Sequence, residues 1–482
     1  MSKLIKYIFL TLLITNFELS SYARAGGAGG DDDNDDGGSS SSSSSSDYSS
    51  SSSSDDDDYS SSSSSSSSGG GASNGKLNTI IILTIFSSII IYSIIDSRRE
   101  KAKIAQRAPD APKKFDFSEG FLNANTSFNE KDFKERVEIA FMEIQHAWQN
   151  QNLGKVRKWI SDGIYQRFNL QINMMQQLKQ INKLSNIKIL NINIVKAEKN
   201  GSYSQITALI KFKMDDEFIS DLMPELNQSF DDSTASEYWT FIKKSGPIKS
   251  NLYTSDNCPN CSTPLTENAG EVSRCSSCGT VTYLGDYDWV LADITQKNDY
   301  GMDNLSIDYS SPLIKTLKEE EDLSLQNMED KAANAFVHFL VAKAKANKMF
   351  LNRFATDDFM NKLDVSKPHL YNRLYLSRIT CKEYHQNETN HFLKFKIVYG
   401  AQKVELNNNS ISKIDKDVIT KTVDLTLSRK KGPSHNKAKL WSYDCNSCGA
   451  PIKDTTSNIC SYCGDKLNSG ELNWIVTEIK EA

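Results

Sequence analysis

Eight of the nine cysteines fall into two sets of one form, Cys258-x2-Cys261-x13-Cys275-x2-Cys278 and Cys445-x2-Cys448-x11-Cys460-x2-Cys463. A Cys-x-x-Cys knuckle turns tightly enough to aim two sulfurs at one ion. Two knuckles on facing hairpins close a tetrahedron of four thiolates, the geometry of structural zinc. Gly279, Gly449 and Gly464 follow the second cysteine of three knuckles, where the chain needs a permissive backbone, and Ser262 holds that place in the fourth. The expectation is two structural zinc ions, neither with an open position for catalysis. Disulfides, thiol redox pairs and iron are the competing readings. Disulfides need an oxidising compartment. Redox pairs require neither a second pair at ribbon spacing nor its repetition. Cys381 stands apart in a strand-like stretch and reads as a buried small hydrophobe.

Little else in the chain has catalytic spacing. His146, His338, His369, His385, His391 and His435 form no ligand pattern, and no nucleophile elbow, phosphate loop or kinase signature occurs. Catalytic groups can be scattered, so an enzyme remains the alternative. The run Glu319-Glu320-Glu321-Asp322 reads as the solvated start of a helix.

The cysteine sets sit inside a long internal repeat. WTFIKKSGP (Trp239–Pro247) recurs as LTLSRKKGP (Leu425–Pro433), and DWVLADI (Asp288–Ile294) recurs as NWIVTEI (Asn473–Ile479). Ala140-Phe141 recurs as Ala335-Phe336, followed at equal distance by Ser161-Asp162 and Thr356-Asp357. A repeat of this length describes two globular domains rather than a solenoid. Ser161 and Thr356 read as helix N-caps with an aspartate in the first turn; a buried or catalytic aspartate is the sharper alternative.

Val137, Phe141, Ile144 and Trp148 follow helical spacing, and a second helix is expected from Ser161 to about Lys183. The period then becomes two. Strands are expected around Leu190–Ile194, Ile206–Phe212, Tyr238–Lys243 and Asp288–Ile294. In the second copy Leu376–Tyr384, Phe392–Tyr399, Val423–Arg429 and Leu472–Ile479 take these places. Helices followed by an antiparallel sheet make each copy α+β, with the cysteine segment inserted between the last two strands.

The N-terminal quarter is different. Residues 1–25 have a basic start at Lys3 and Lys6, a short apolar run and Ala23-Arg24-Ala25, the form of a secretory signal; a retained anchor is the alternative. Residues 26–75 are Gly, Asp and Ser of low complexity, expected to stay disordered. Leu77 to Ile95 is uncharged and apolar; as a helix its 19 residues would rise ~28 Å, enough to cross a bilayer. Arg98, Arg99, Lys101, Lys103 and Arg107 follow it, whereas ten aspartates precede it. Basic flanks stay inside, so the expected topology is a tail outside and the C-terminal bulk in the cytoplasm. The formal charge of −5 divides into +2 for residues 1–25, −10 for 26–75, +1 for 76–95 and +2 for the rest. That near-neutral bulk gives no electrostatic reason to expect nucleic acid as a partner.

The stretch AFMEIQHAWQNQNLGKVRKWISDGIYQRF followed by NIKILNINIVKAE resembles the Tim forty-four family, the mitochondrial inner-membrane import tether and its bacterial relatives. Ala140, Phe141, Trp148, Ser161, Asp162 and Tyr165 occupy the matching places; the second copy keeps Ala335, Phe336, Thr356 and Asp357 but lacks the tryptophan and the tyrosine. The resemblance implies cone-shaped α+β domains of the nuclear-transport-factor-two type with a hydrophobic pocket or groove. It also implies membrane-surface binding and tethering of a protein, peptide or lipid partner, linked to protein transport, rather than catalysis. An isomerase or hydrolase using the cone pocket is the alternative, and Trp148 and Trp159 are expected to serve partner capture. The chaperone-recruiting N-terminal segment of the import protein has no counterpart here.

The expected organisation is a signal peptide (1–25), an acidic tail (26–75), a membrane helix (76–96) and a basic linker (97–127). Two related domains follow, 128–300 with a zinc ribbon at 255–282 and 318–482 with one at 442–467. The expected setting is a bacterial inner membrane.

Overall fold

A computed structural model describes residues 115–265, 274–297, 324–408, 410–432, 445, 447–450, 452, 456–471 and 473–481. The expected signal, tail and membrane helix lie outside them, as does the run Glu319–Asp322. Among the described residues no helix is long and apolar enough to cross a membrane.

The first half contains α1 (Glu119–Ala124), α2 (Glu130–Gln149) and α3 (Asp162–Gln177), then four strands: β1 (Gln180–Asn200), β2 (Tyr203–Ser220), β3 (Gln228–Lys244) and β4 (Val290–Gln296). Side chains cap each helix start. Ser118, Asn129 and Ser161 accept from Phe121 N, from Lys131 N and Asp132 N, and from Ile164 N, satisfying otherwise orphaned donors. The strands form one antiparallel sheet in sequence order. Along β2 the even-numbered residues from Ile206 to Phe218 are buried, while the odd-numbered ones from Leu209 onward are less so. One face therefore meets the helices. There Phe141 of α2 packs on Phe212 (4.6 Å between ring centroids) and on Trp239 (5.3 Å).

Two expectations need correction here. The second helix stops at Gln177, not near Lys183, because Lys179 turns the chain at φ 50° and Gln180 already pairs with Ser220. Residues 115–127, read as the end of a linker, belong to the core. Phe121 is fully buried, and Phe117, Phe121 and Phe128 cluster against one another and toward Trp289. Aromatic spacing outside any periodic pattern concealed this.

The second half has α4 (Leu325–Ala344), α5 (Asp357–Lys362), and strands β5 (Leu370–Gln386), β6 (Asn390–Asn407), β7 (Ser410–Lys413), β8 (Ile419–Lys430) and β9 (Ile475–Glu481). Its sheet runs β5-β6-β8-β9, with β7 paired to β6. The two halves agree in detail. Ile160 makes a parallel bridge to Leu291, and Ala355 makes one to Val476. Ser161 N donates to Leu291 O at 2.9 Å, and Thr356 N donates to Val476 O at 2.9 Å. The last strand pair carries a register shift at Thr240/Phe241 and again at Thr426/Leu427. Phe336 packs on Tyr399 (5.1 Å) as Phe141 does on Phe212.

Each half has its own apolar core, yet the two are packed together. Leu170 and Met174 of α3 belong to the core of the second half. Gln171 Nε2 donates to Leu374 O at 2.7 Å. Gln180 Nε2 donates to Asn372 Oδ1 (2.8 Å), and Asn372 Nδ2 donates to Gln402 Oε1 (2.7 Å). Arg373 Nη2 donates to Leu226 O (3.1 Å). Buried polar groups with fixed partners of this kind set one relative position of two surfaces.

Candidate metal centres

Each cysteine set converges. All four sulfurs of Cys258, Cys261, Cys275 and Cys278 lie within 4.8 Å of one another, as do those of Cys445, Cys448, Cys460 and Cys463. Cross-knuckle distances are 3.6 Å (Cys258–Cys278) and 3.5 Å (Cys261–Cys275) in the first set, 3.6 Å (Cys445–Cys463) and 3.8 Å (Cys448–Cys460) in the second. A disulfide needs about 2 Å. Four thiolates at about 2.3 Å from one zinc stand about 3.8 Å apart. The residues fit a four-coordinate metal ion such as zinc.

All four knuckles share one backbone device. Cys258 N donates to Thr263 O, while Ser262 N returns a bond to Cys258 O. The same pair of bonds recurs at Cys275 with Thr280 and Gly279, Cys445 with Ala450 and Gly449, and Cys460 with Asp465 and Gly464. Gly279, Gly449 and Gly464 have φ of 71°, 72° and 78°, and Ser262 follows at 61°. The first cysteine of every knuckle is buried and the second exposed. The Thr280 hydroxyl, 3.1 Å from Cys278 Sγ, favours the thiolate and pulls its pKa down to about 5.

Both ribbons dock on the corner ahead of the last helix of their half, α3 in the first and α5 in the second. In the first, Lys158 Nζ donates to Ser255 O (2.9 Å) and Asp256 Oδ1 (2.6 Å), and Trp159 stacks on Tyr253 at 5.0 Å. In the second, Asn468 Nδ2 donates to Ala355 O (2.9 Å) and Asp357 Oδ1 (3.1 Å), and Lys466 pairs with Asp357.

The other sequence candidates separate. Ser161 and Thr356 are N-caps as expected. Asp162 is fully buried and paired with Arg157, whose guanidinium also lies 3.5 Å over the Tyr283 ring. This Asp is structural. Trp148 and Trp159 are 1% and 2% exposed, so they are core residues and present no surface to a partner. The expectation that they serve partner capture fails, because α2 and the 157–159 turn direct them inward onto Phe168 and Tyr253. His146 is exposed. His338 is buried beside Phe354 (4.1 Å), and burial pushes its pKa down to about 3. Cys381 is half-buried in β5 and its thiol is pushed up by burial.

Sequence reading missed a charged cluster where the halves meet. Asp330 of α4 accepts from Ser161 Oγ (2.5 Å) and from Gly163 N (3.1 and 3.2 Å) at the start of α3. Gly163 is required there, because a Cβ would collide with the Asp330 carboxylate. Arg167, Asp293, Glu329 and Asp330 line a cavity of about 10 Å3, room for about one water molecule. Burial pushes Glu329 and Asp330 up to about 7 and raises Asp293, while it lowers Arg167. Only the pairing of Asp330 with the Ser-Asp-Gly corner, 169 residues away from Ser161, creates this site. No local pattern carries that signal.

Residues 117–253, which hold α1, α2, α3 and the first three strands, match the Tim44-like domain. Among solved structures, an Ntf2 like protein involved in plasmid conjugation aligns over 58% of this chain and 90% of its own, with 9% identity and a TM-score of 0.14. No curated protein matches the chain.

Proposed function

We propose that the chain is a non-catalytic, membrane-anchored tethering protein. Residues 77–95 anchor it in a bacterial inner membrane, and the two packed halves at the inner face hold a protein, peptide or lipid partner, in a role linked to protein transport. In this reading the halves descend from one duplicated domain, and each carries a structural zinc ion: Cys258, Cys261, Cys275 and Cys278 hold one, Cys445, Cys448, Cys460 and Cys463 the other. The observation that carries the reading is the Tim44-like domain at 117–253. The closed four-sulfur sets support it, since a fully occupied tetrahedron offers no substrate position.

Crosslinking in intact cells, with photoreactive residues at exposed Leu190 and Ile414 and at buried Trp148, tests the tether. Defined protein or lipid adducts at the exposed positions, lost when residues 77–95 are deleted, are expected. A full-length chain that fractionates away from membranes, or no position-dependent adduct, would overturn it. Metal analysis of the purified full chain should return two zinc ions per molecule; S–S bonds without metal would refute the zinc assignment.

A further inference from the structure

The first ribbon grips the corner ahead of α3 from both sides. Tyr253 stands five residues before Cys258, and Tyr283 stands five after Cys278. Trp159 stacks on Tyr253 at 5.0 Å, and the Arg157 guanidinium lies 3.5 Å over the Tyr283 ring. Between these two contacts Lys158 Nζ donates to Ser255 O (2.9 Å) and Asp256 Oδ1 (2.6 Å), just ahead of the first cysteine. Three successive side chains of the corner thus rest on the two arms that enter and leave the ribbon. Among the described residues from Cys258 to Cys278, only Cys258 and Cys275 are buried. This ribbon has no apolar core of its own, so a bound ion is what ties its arms together.

The same corner carries the seam between the halves. Arg157 pairs with Asp162, and its Nη1 donates to Ile160 O (2.8 Å), which fixes the path of the chain into Ser161 and Gly163. Ser161 Oγ then donates to Asp330 Oδ1 (2.5 Å), and Gly163 N donates to the same carboxylate (3.1 and 3.2 Å). One short segment, 157–163, is held by the ribbon at its start and holds the second half at its end. Its donors meet a buried carboxylate, and a shift of the corner would leave those groups without partners at a real cost.

The second ribbon docks in the same manner but leads elsewhere. Asn468 Nδ2 donates to Ala355 O and Asp357 Oδ1, and Lys466 pairs with Asp357. Thr356 N donates to Val476 O (2.9 Å), and the Thr356 hydroxyl accepts from Phe359 N (3.3 Å). Among the described residues, these polar contacts of Ala355, Thr356 and Asp357 all stay inside the second half. The two metal sites are alike in their knuckles and unlike in what their corners touch.

Resting on the zinc assignment above, we propose that the first metal site latches the seam between the halves, and that the second does not. A metal ion at Cys258, Cys261, Cys275 and Cys278 ties the two arms, the arms hold the 157–163 corner, and the corner holds the second half through Asp330. The test is hydrogen–deuterium exchange of the full chain in detergent micelles, with metal content measured on the same samples, for wild type, Cys261→Ser, Cys448→Ser and Lys158→Met. Cys261 and Cys448 are exposed, so each replacement removes a ligand without opening a core cavity. Cys261→Ser should keep one zinc ion and exchange about tenfold faster in peptides spanning 161–167 and 326–334. Cys448→Ser should also keep one zinc ion, exchange faster around 355–360 and leave the seam peptides at the wild-type rate. Lys158→Met retains all eight thiolates and cuts the dock alone; it should speed the seam peptides with both zinc ions in place, which keeps the test decisive if Cys261→Ser fails to fold. Seam exchange raised equally by both cysteine variants, or by neither, would overturn the latch. A wild-type chain without metal would overturn the zinc assignment along with it, and the metal content tells the two failures apart.

Discussion

Asp330→Asn should stabilise the chain above neutral pH and leave it unchanged in acid. The carboxylate is 2% exposed at the seam between the halves. Burial pushes it from 3.8 up to about 7, with Asp162 adding to the rise while Ser161, Gly163 and Arg157 oppose it. Because the folded value lies above the ordinary one, the native chain holds a proton that the unfolded chain has released. The stability this confers is complete below about pH 4 and is lost as pH climbs to about 7. The rise from 3.8 to about 7 sets a ceiling of about 4 kcal/mol, and relaxation around a cavity that admits water brings the expected gain to about 2 kcal/mol. Asparagine keeps the shape: its Oδ1 accepts from Gly163 N, and its amide can donate to Ser161 Oγ. Glu329, Asp293, Arg167, Asp162, Arg157 and Lys331, the charged groups around the site, are present in both chains and largely cancel in the difference. Urea unfolding of both chains from about pH 5 to about pH 8 reads the effect through the midpoint. A stability difference that does not change with pH, or an Asp330→Asn chain weaker than wild type at about pH 8, would refute this reasoning.

Ser262→Gly should strengthen the first ribbon by about 1 kcal/mol, since a side chain at φ 61° carries a steric cost that glycine avoids; slower zinc loss to a chelator is the readout. Trp148→Ala should cost about 3–5 kcal/mol, because it opens a core cavity and takes the indole donor from Asn182 Oδ1 (3.1 Å). The melting temperature reports it, with crosslinking at Leu190 unchanged in whatever fraction stays folded.

Local chemistry was readable from the sequence wherever it repeats over short distances. The knuckles, the Ser161 and Thr356 caps and the alternating residues of β2 depend on neighbours in the chain, and the structure places them accordingly. Trp148 shares the helical stripe of Val137, Phe141 and Ile144, so its burial followed from that spacing; the role in partner capture assigned to it did not fit that stripe. The end of α3 was misjudged because apolar and polar residues near Lys179 fit a helix as well as a strand, and the positive φ decided it. The seam around Asp330 joins residues far apart in sequence, so only the packed halves reveal it.

The polar chain from Gln180 through Asn372 to Gln402 has one further consequence. Gln180 and Asn372 join the edge strands β1 and β5, Gln402 lies on the neighbouring β6, and these amides, like Asp330 and Gln171, find the partners named above outside the peptide between Lys297 and Ser324. Severing that peptide would leave two fragments with complementary polar faces, each supplying what the other's buried groups need. The pair would then behave as a heterodimer written in one gene, able to recombine from separate polypeptides.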